Sequence, residues 1–412
     1  MALHAKKLYY RRGEATYSID LYTTTAEVGS EYITLRDGST TVYAALGDVV
    51  DAAASHLRVQ KSDVTYAVLS EFVATQAFTI VSITPAAGNG CYRAAVSGDG
   101  LEIATVALNS PNMSTYAWNA GNNRYEGISY DVAPIYPTDC AISADSNFLV
   151  TTQYNSSPYM SAYKRSSANS RWERTAISGS ALNGAHAAAI SSDGSIAIIG
   201  SAFSSSLSLF RWNSGTSTYV LDSTAFDTNM YGSTYGCAIS DDGQVIAAAH
   251  NSNSPYVTTY RWSSGLSKYV KTANPDTIRS TGTHHASLSP DGSVLAVGGW
   301  STCTVYVWSV ANSRYELTTT LDIDSYQVGG VAISTDEEYL VIAGAPTHDG
   351  AEHVLNAYKK ISKGVYDMTP VYSETLPGRS QKCDVSSKEG GVYTTAVGLY
   401  TVSPYVAVRK FT

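Results

Sequence analysis

At 412 residues, 44% of them hydrophobic, the chain is long enough for one large core or for two or three ordinary domains. Only 15% of residues are charged, the formal net charge is -8, and Ser, Thr, Gly and Asn abound beside 31 Tyr, a composition that favours pleated surfaces and turns over helices. No basic cluster is longer than Lys6-Lys7 or Arg11-Arg12, which argues against nucleic acid as a partner, and no stretch is apolar over the length that would insert into a bilayer.

The opening MALHAKKLYYRRGEATYS is basic but lacks the apolar run of a secretory signal. Up to about residue 76 the sequence reads as hairpins. KKLYY and ATYSIDLY flank Arg11-Arg12-Gly13-Glu14, EYITL and TTVYAAL flank Arg36-Asp37-Gly38-Ser39, and SHLRV and VTYAVLS flank Lys61-Ser62-Asp63. Residues 1–76 are thus expected to form a small β-sandwich or barrel of their own, an anchor or oligomerisation module. QAFTIVSITP, residues 76 to 85, follows as an isolated strand stopped by Pro85.

From there to the end one unit repeats. Its cleanest copy, HHASLSPDGSVLAVGGWSTCTVYVWSVANSRYELTTTL at 284 to 321, predicts four strands. The first ends at the Pro290-Asp291-Gly292 turn, the second runs from Val294 to Gly298, the third ends at Trp308 and the fourth starts at Tyr315. The turn acids are Asp99, Asp145, Asp193, Asp242, Asp291 and Asp336, with Lys388 in the last copy, so the spacing stays between 45 and 52 residues. Seven units of four antiparallel strands predict an all-β chain: a seven-bladed β-propeller over 77–412 behind the small N-terminal domain.

Two further columns align. Trp118, Trp212, Trp262 and Trp308 end third strands, with Arg165, Lys360 and Phe411 in the other copies. Tyr125, Trp172, Tyr219, Tyr269, Tyr315 and Tyr366 open fourth strands. The seventh unit stops at Thr412 before its fourth strand, and an open ring would leave unpaired backbone edges. Residues 77 to 83 are expected to supply that strand, with Phe78 in the aromatic column. Cys140, Cys237 and Cys383 recur three residues before the turn Ser on different first strands, which predicts buried thiols rather than bridges or metal ligands.

SPDGSVLAVGG followed by VYVW resembles WD-repeat propellers, and YLVIAGAPTHDG resembles the Gly-Ala-Pro core of FG-GAP-like units. The resemblance covers 77–412 and implies the propeller fold. It carries no site with it: the acidic calcium loop of integrin-type FG-GAP repeats and the Trp-Asp ending of WD-repeats are both missing.

In such a ring the starts of the first strands share one rim with the loops between second and third strands. The strand starts hold Tyr92, His186, Tyr235 and His284. The loops read NSPNM, QYNSSPYM, HNSNSPYV, GGWSTC and LYTVSPYV, contributing Tyr154, Tyr159, Tyr256, Trp300, Tyr400 and Tyr405. Aromatic faces beside Asn and Ser suit the apolar faces and hydroxyls of sugar rings. The expected ligand is therefore a glycan or glycosylated receptor, bound through Tyr92, Tyr154, Tyr159, Tyr235, Tyr256, Trp300, Tyr400 and Tyr405, with no cofactor, metal or catalytic residue. An isolated Tyr of this kind equally suits a body packed between blades with a wet hydroxyl. The Ser-x-Asp-Gly columns read as turn chemistry, His186 and His284 as hydrogen-bonded channel residues, and the cluster His348, Asp349, Glu352 and His353 as a solvated loop. No arginine cluster of the sialidase kind is evident, since Arg93, Arg165, Arg171, Arg174, Arg211, Arg261, Arg279 and Arg314 fall mostly on third strands or outer turns.

The low-charge, Tyr/Ser/Thr/Asn/Gly-rich composition resembles one often seen in appendage proteins. The expected setting is a virion or extracellular appendage assembled without a signal peptide, such as a phage tail or head fibre, with residues 1–76 contacting other structural proteins. The alternatives are a purely structural decoration or spacer, and a propeller glycoside hydrolase or lyase.

Overall fold

The computed structural model describes the strand backbones between residues 7 and 80, residues 81–84, and residues 91–411 apart from 108, 204–206, 229–231, 252–255, 277–281, 301, 323–326, 346–352, 378–379, 387–391 and 400–405. The chain divides into two compact units, Met1–Thr75 and Gln76–Thr412. In the first, Lys7–Arg12 pairs with Ala15–Asp20, and Thr25–Val28, Tyr32–Asp37, Thr40–Leu46, Leu57–Lys61 and Val64–Val68 make an antiparallel meander in sequence order. Thr25–Val28 is a strand that the hairpin reading did not include.

The second unit is a seven-bladed β-propeller. The innermost strands are Cys91–Val96, Pro137–Ile142, Ala185–Ile190, Thr234–Ile239, His285–Leu288, Gln327–Ile333 and Ser380–Val385. Each begins an antiparallel sheet of successive strands. The fourth strand of the sixth blade is interrupted, as Val365–Tyr366 and then Tyr372–Leu376. In the seventh blade the order is Ser380–Val385, Tyr393–Leu399, Val406–Phe411, Thr79–Ile80, so the ring is fastened by Arg409 opposite Ile80 and Lys410 opposite Thr79. The isolated strand does not run unbroken to residue 83. It breaks at Val81 and Ser82, and Ile83–Thr84 passes to the first blade, lying parallel to Arg124–Ile128.

That crossing is repeated around the ring. The linker leaving each of several blades lies along the outer strand of the next: Tyr130 bridges Trp172, Ala176–Ser178 pairs with Thr218–Leu221, and Phe226 bridges Tyr269, all parallel. At three crossings an aspartate fixes the register. Asp131, Asp227 and Asp276 donate their own N–H to the carbonyls of Trp172, Tyr269 and Tyr315. Their carboxylates then accept the N–H of Arg174 (2.9 Å), Lys271 (3.0 Å) and Leu317 (2.7 Å).

The core is distributed between blades, with an apolar cluster at each of the seven interfaces. The repeated columns explain why. Each column Trp meets the aromatic that opens its own fourth strand, at 5.1 to 5.3 Å between ring centroids in Trp118–Tyr125, Trp212–Tyr219, Trp262–Tyr269 and Trp308–Tyr315. The residue before the column position is basic in several blades and reaches the Trp of the next: Lys164 to Trp212 (5.5 Å), Arg211 to Trp262 (5.0 Å), Arg261 to Trp308 (3.9 Å) and Lys410 to Trp118 (3.1 Å). The Tyr hydroxyls of Tyr125, Tyr219, Tyr269 and Tyr315 donate to the carbonyls of Gly100, Gly194, Gly243 and Gly292, tying the outermost strand to the turn of the same blade.

The Ser-x-Asp columns serve the turns. In six blades the Ser hydroxyl (Ser97, Ser143, Ser191, Ser240, Ser289, Ser334) donates to the Asp carboxylate two positions on, and it accepts the N–H that opens the second strand. All five cysteines are free and buried, and burial pushes the thiols of Cys91, Cys237 and Cys383 up to about 12.

Candidate functional site

The site is built on the first strands, counted back from the turn Ser. Five positions before it stand Tyr92, Thr138, His186, Tyr235, His284, Gly329 and Gln381. Four before it stand Arg93, Asp139, Ala187, Gly236, His285, Gly330 and Lys382. A regular strand would send these two columns to opposite faces. In six of the seven blades the register instead shifts here, as between Cys91 and Arg93 or Ala185 and Ala187. Such a bulge re-aims side chains next to a site, and it lets both columns serve the channel.

At the lower of the two levels the channel is closed by a buried polar plug. Arg93, 4% exposed, puts Nη1 3.3 Å from Nδ1 of His285 and Nη2 3.4 Å from Nδ1 of His186. Asp139, 2% exposed, accepts the N–H of Cys140 (2.8 Å) and of Ala188 (2.9 Å) and an ammonium hydrogen bond from Lys382 (2.9 Å). Arg93 Nη1 stands 4.0 Å from that carboxylate, beyond hydrogen-bond reach. Asp384 turns one oxygen to the N–H of Val96 on the neighbouring blade (2.9 Å), and Ser287 accepts the N–H of Ile333 in the same way (3.0 Å). These bonds satisfy inner-edge backbone donors that no further strand can reach.

Burial and the nearby Arg93 charge hold the imidazoles of His186 and His284 down at about 4, and that of His285 well below its ordinary value. All three are neutral near pH 7. Asp139 stays ionised despite its burial because Lys382 and Arg93 lower its carboxyl below the ordinary range. Glycine makes the plug sterically feasible on one side: a Cβ on Gly330 would lie 2.3 Å from the backbone N of Cys383.

Above the plug an aromatic arc crosses three blades. Ring centroids lie 4.8 Å apart for His186–Tyr235, 5.5 Å for Tyr235–His284 and 5.7 Å for His284–Trp300. All four side chains are half-buried, so each keeps a face or edge to solvent. Gly282, at φ 66°, leaves room for the indole, since a Cβ there would meet Nε1 of Trp300 at 2.0 Å. Beside the arc Tyr154 packs on Phe203 (5.0 Å), which is 62% exposed, and on the same side Tyr136 is 59% exposed. Below the plug, toward the Asp-Gly turns, lies a cavity of about 170 Å3 lined by small residues such as Ala141, Ala189, Cys237 and Ala286.

The sequence-derived ligand residues divide accordingly. Tyr235 and Trp300 belong to the arc and Tyr154 flanks it. Tyr159 is half-buried against the core between the second and third blades. Tyr159 and Tyr256 both adopt φ 62° and close their loops, with their carbonyls accepting the N–H of Gln153 and of His250. Tyr92 lies within Cys91–Val96 at the register shift between Cys91 and Arg93, but its side chain, with Tyr400, Tyr405 and the loop residues His348, Asp349 and Glu352, lies outside the described residues. His353 is not solvated; it is 3% exposed and bonded to Ser380. The arginine survey needs correction for Arg93, which is central to the channel rather than on a third strand or outer turn. Asp139, His285 and Lys382 were also missed; their common distance from the turn Ser was the available signal. Among the described residues, no group of three or more His, Cys, Asp or Glu is placed to hold a metal ion.

No family model matches the chain. No curated protein matches it either. Among solved structures it is similar to Kuenenia stuttgartiensis hydrazine synthase, with a TM-score of 0.55, 14% identity, and 79% of this chain and 96% of that one covered. It is also similar to a functionally unknown protein from Desulfotomaculum acetoxidans, with a TM-score of 0.53, 15% identity, and coverage of 78% and 95%. At such identities the likeness is one of fold alone.

Proposed function

We propose that this protein is a binding propeller whose upper rim, where the first strands begin, takes a glycan or glycosylated receptor without turning it over. The observation that carries this reading is the half-buried arc His186–Tyr235–His284–Trp300, whose four rings stand within 6 Å of their neighbours. An arc of that kind offers stacking faces to a pyranose while its ring nitrogens and phenol offer hydrogen bonds to hydroxyls. Beneath it Asp139 is held by Lys382 and by two backbone amides, as fits a scaffold better than proton transfer. Residues 1–76, read as a small sandwich or barrel, would attach the propeller to other structural proteins of a virion or surface appendage.

A glycan array probed with the full chain tests the reading. Binding should appear and should be lost in Trp300→Ala and Tyr235→Ala, with the far-UV spectrum and a cooperative melting transition retained. Binding unaffected by both substitutions would refute it. A second reading, a spacer that contacts protein neighbours, draws on the opposite rim. There the hairpin tips of three successive blades expose Leu266 (63%), Val310 (82%) and Ile361 (68%). Loss of self-association or particle binding on Leu266→Ser and Val310→Ser, with no glycan bound, would favour it.

A further inference from the structure

Arg93 is a buried cation whose hydrogen-bonding capacity is unmet. Its charge has no carboxylate within hydrogen-bond distance, because Asp139 is already engaged by Lys382 and by two backbone amides. The guanidinium carries five donors in a fixed fork. Nη1 and Nη2 have only long contacts to imidazole nitrogens, at 3.3 and 3.4 Å, and Nε has no partner at all. Nε and Nη2 form one edge of the fork, the edge that binds a carboxylate through two parallel hydrogen bonds.

A second orphan stands on the level above. Nε2 of His284 is buried without a partner, while the ring itself is held edge-on between Tyr235 and Trp300. Two buried polar groups without partners, one of them on a charged side chain, each cost stability as long as no ligand meets them. They stand on adjacent levels of the channel, Arg93 four and His284 five positions before the turn Ser of their blades, and His284 is itself a member of the arc.

We infer that the ligand of this rim is an acidic sugar, its carboxylate paired with the Nε/Nη2 edge of Arg93 and bonded by Nε2 of His284. The inference rests on the glycan reading above and narrows it to sialic-acid or uronic-acid units. A carboxylate fits better than a neutral sugar because it would accept from both donors of that edge, whereas the one anion now near Arg93, Asp139, stands 4.0 Å from Nη1 and is bonded by Lys382 and two backbone amides. It fits better than a phosphate or sulfate group because the free donors make one two-pronged edge rather than a cradle around a tetrahedral anion.

Isothermal titration of the full chain with 3′-sialyllactose, lactose, a glucuronic-acid disaccharide and a sulfated galactose provides the test. At least one carboxylate sugar should bind ten-fold or more tightly than lactose, and the preference should vanish in Arg93→Gln and shrink in His284→Ala. His284→Ala lies at the half-buried mouth, so it keeps the test valid if Arg93→Gln does not fold. Equal binding of acidic and neutral sugars would overturn this inference while leaving the glycan reading intact. Binding of the sulfated sugar alone would overturn the carboxylate assignment, and binding of none of the four probes would overturn the carboxylate inference and count against the glycan reading, which the glycan array tests separately.

Discussion

Replacing Asp139 by Asn tests the plug directly. The carboxylate is 2% exposed, accepts two backbone amides at 2.8 and 2.9 Å and an ammonium at 2.9 Å, and faces Arg93 at 4.0 Å. Asn keeps the volume but removes the charge, and its amide group must point at one of the donors the carboxylate now accepts. Breaking a buried ion pair by deleting one partner costs about 3–5 kcal/mol, since the surviving charge stays buried. At about 2 °C per kcal/mol for a unit of this size, the melting temperature should fall by roughly 6–10 °C. Removing the stranded cation should then help: Asp139→Asn with Lys382→Met should recover about half of the loss. Differential scanning calorimetry and urea denaturation at pH 7 of the wild type, both single variants and the double variant complete the cycle. A loss below about 1 kcal/mol in Asp139→Asn, or no recovery in the double variant, would show that the plug is not held by this carboxylate.

Three other outcomes are expected. Deleting residues 1–75 should leave a folded propeller, whereas deleting through residue 84 removes Thr79–Ile80 and should expose the Val406–Phe411 edge, seen as a lower melting temperature and faster aggregation in light scattering; equal behaviour of the two would refute closure by that strand. Arg261→Ala removes the guanidinium 3.9 Å from the centre of the Trp308 ring and its 3.0 Å bond to the Gly292 carbonyl, and should cost about 1–3 kcal/mol in urea denaturation, with Arg261→Lys recovering less than half. Stability should also fall between pH 6.5 and pH 4. Burial holds His186, His250 and His284 down at about 4 in the folded protein and His285 well below its ordinary value, whereas the unfolded chain takes up those protons near 6.5; each costs about 1.4 kcal/mol per pH unit across its window, offset in part by Glu102, which burial raises to about 7. A flat stability profile from pH 7 to 4.5 would contradict the assignment of neutral buried imidazoles.

The fold was legible because it repeats. Seven copies let the Trp and Tyr columns be read against one another, and each column has one structural job that a single copy would have left ambiguous. The upper rim was legible only in part. Tyr235, His284 and Trp300 stand out as aromatics at shared positions, but the alternation of a regular strand assigns Arg93, Asp139 and Lys382 to the wrong face. The bulge that brings them inward leaves no residue type of its own in the sequence, since Arg93, Asp139, Ala187, Gly236 and Lys382 all occupy it. The linker aspartates were hidden for a different reason. Asp131, Asp227 and Asp276 follow the aromatic column by unequal numbers of residues, so no fixed spacing marks them.

The linker crossings alter what counts as one repeat. Because Asp131, Asp227 and Asp276 finish the outside of the blade that follows, a blade cut out alone leaves behind the segment that covers its own outermost strand and carries away the cover of its neighbour. The self-contained module is therefore offset from the visible sheet and begins with the linker. Gene duplication that copies linker plus blade adds a unit already able to dock on the previous one. Duplication that respects only the sheet boundaries would leave one outer edge bare for every copy gained.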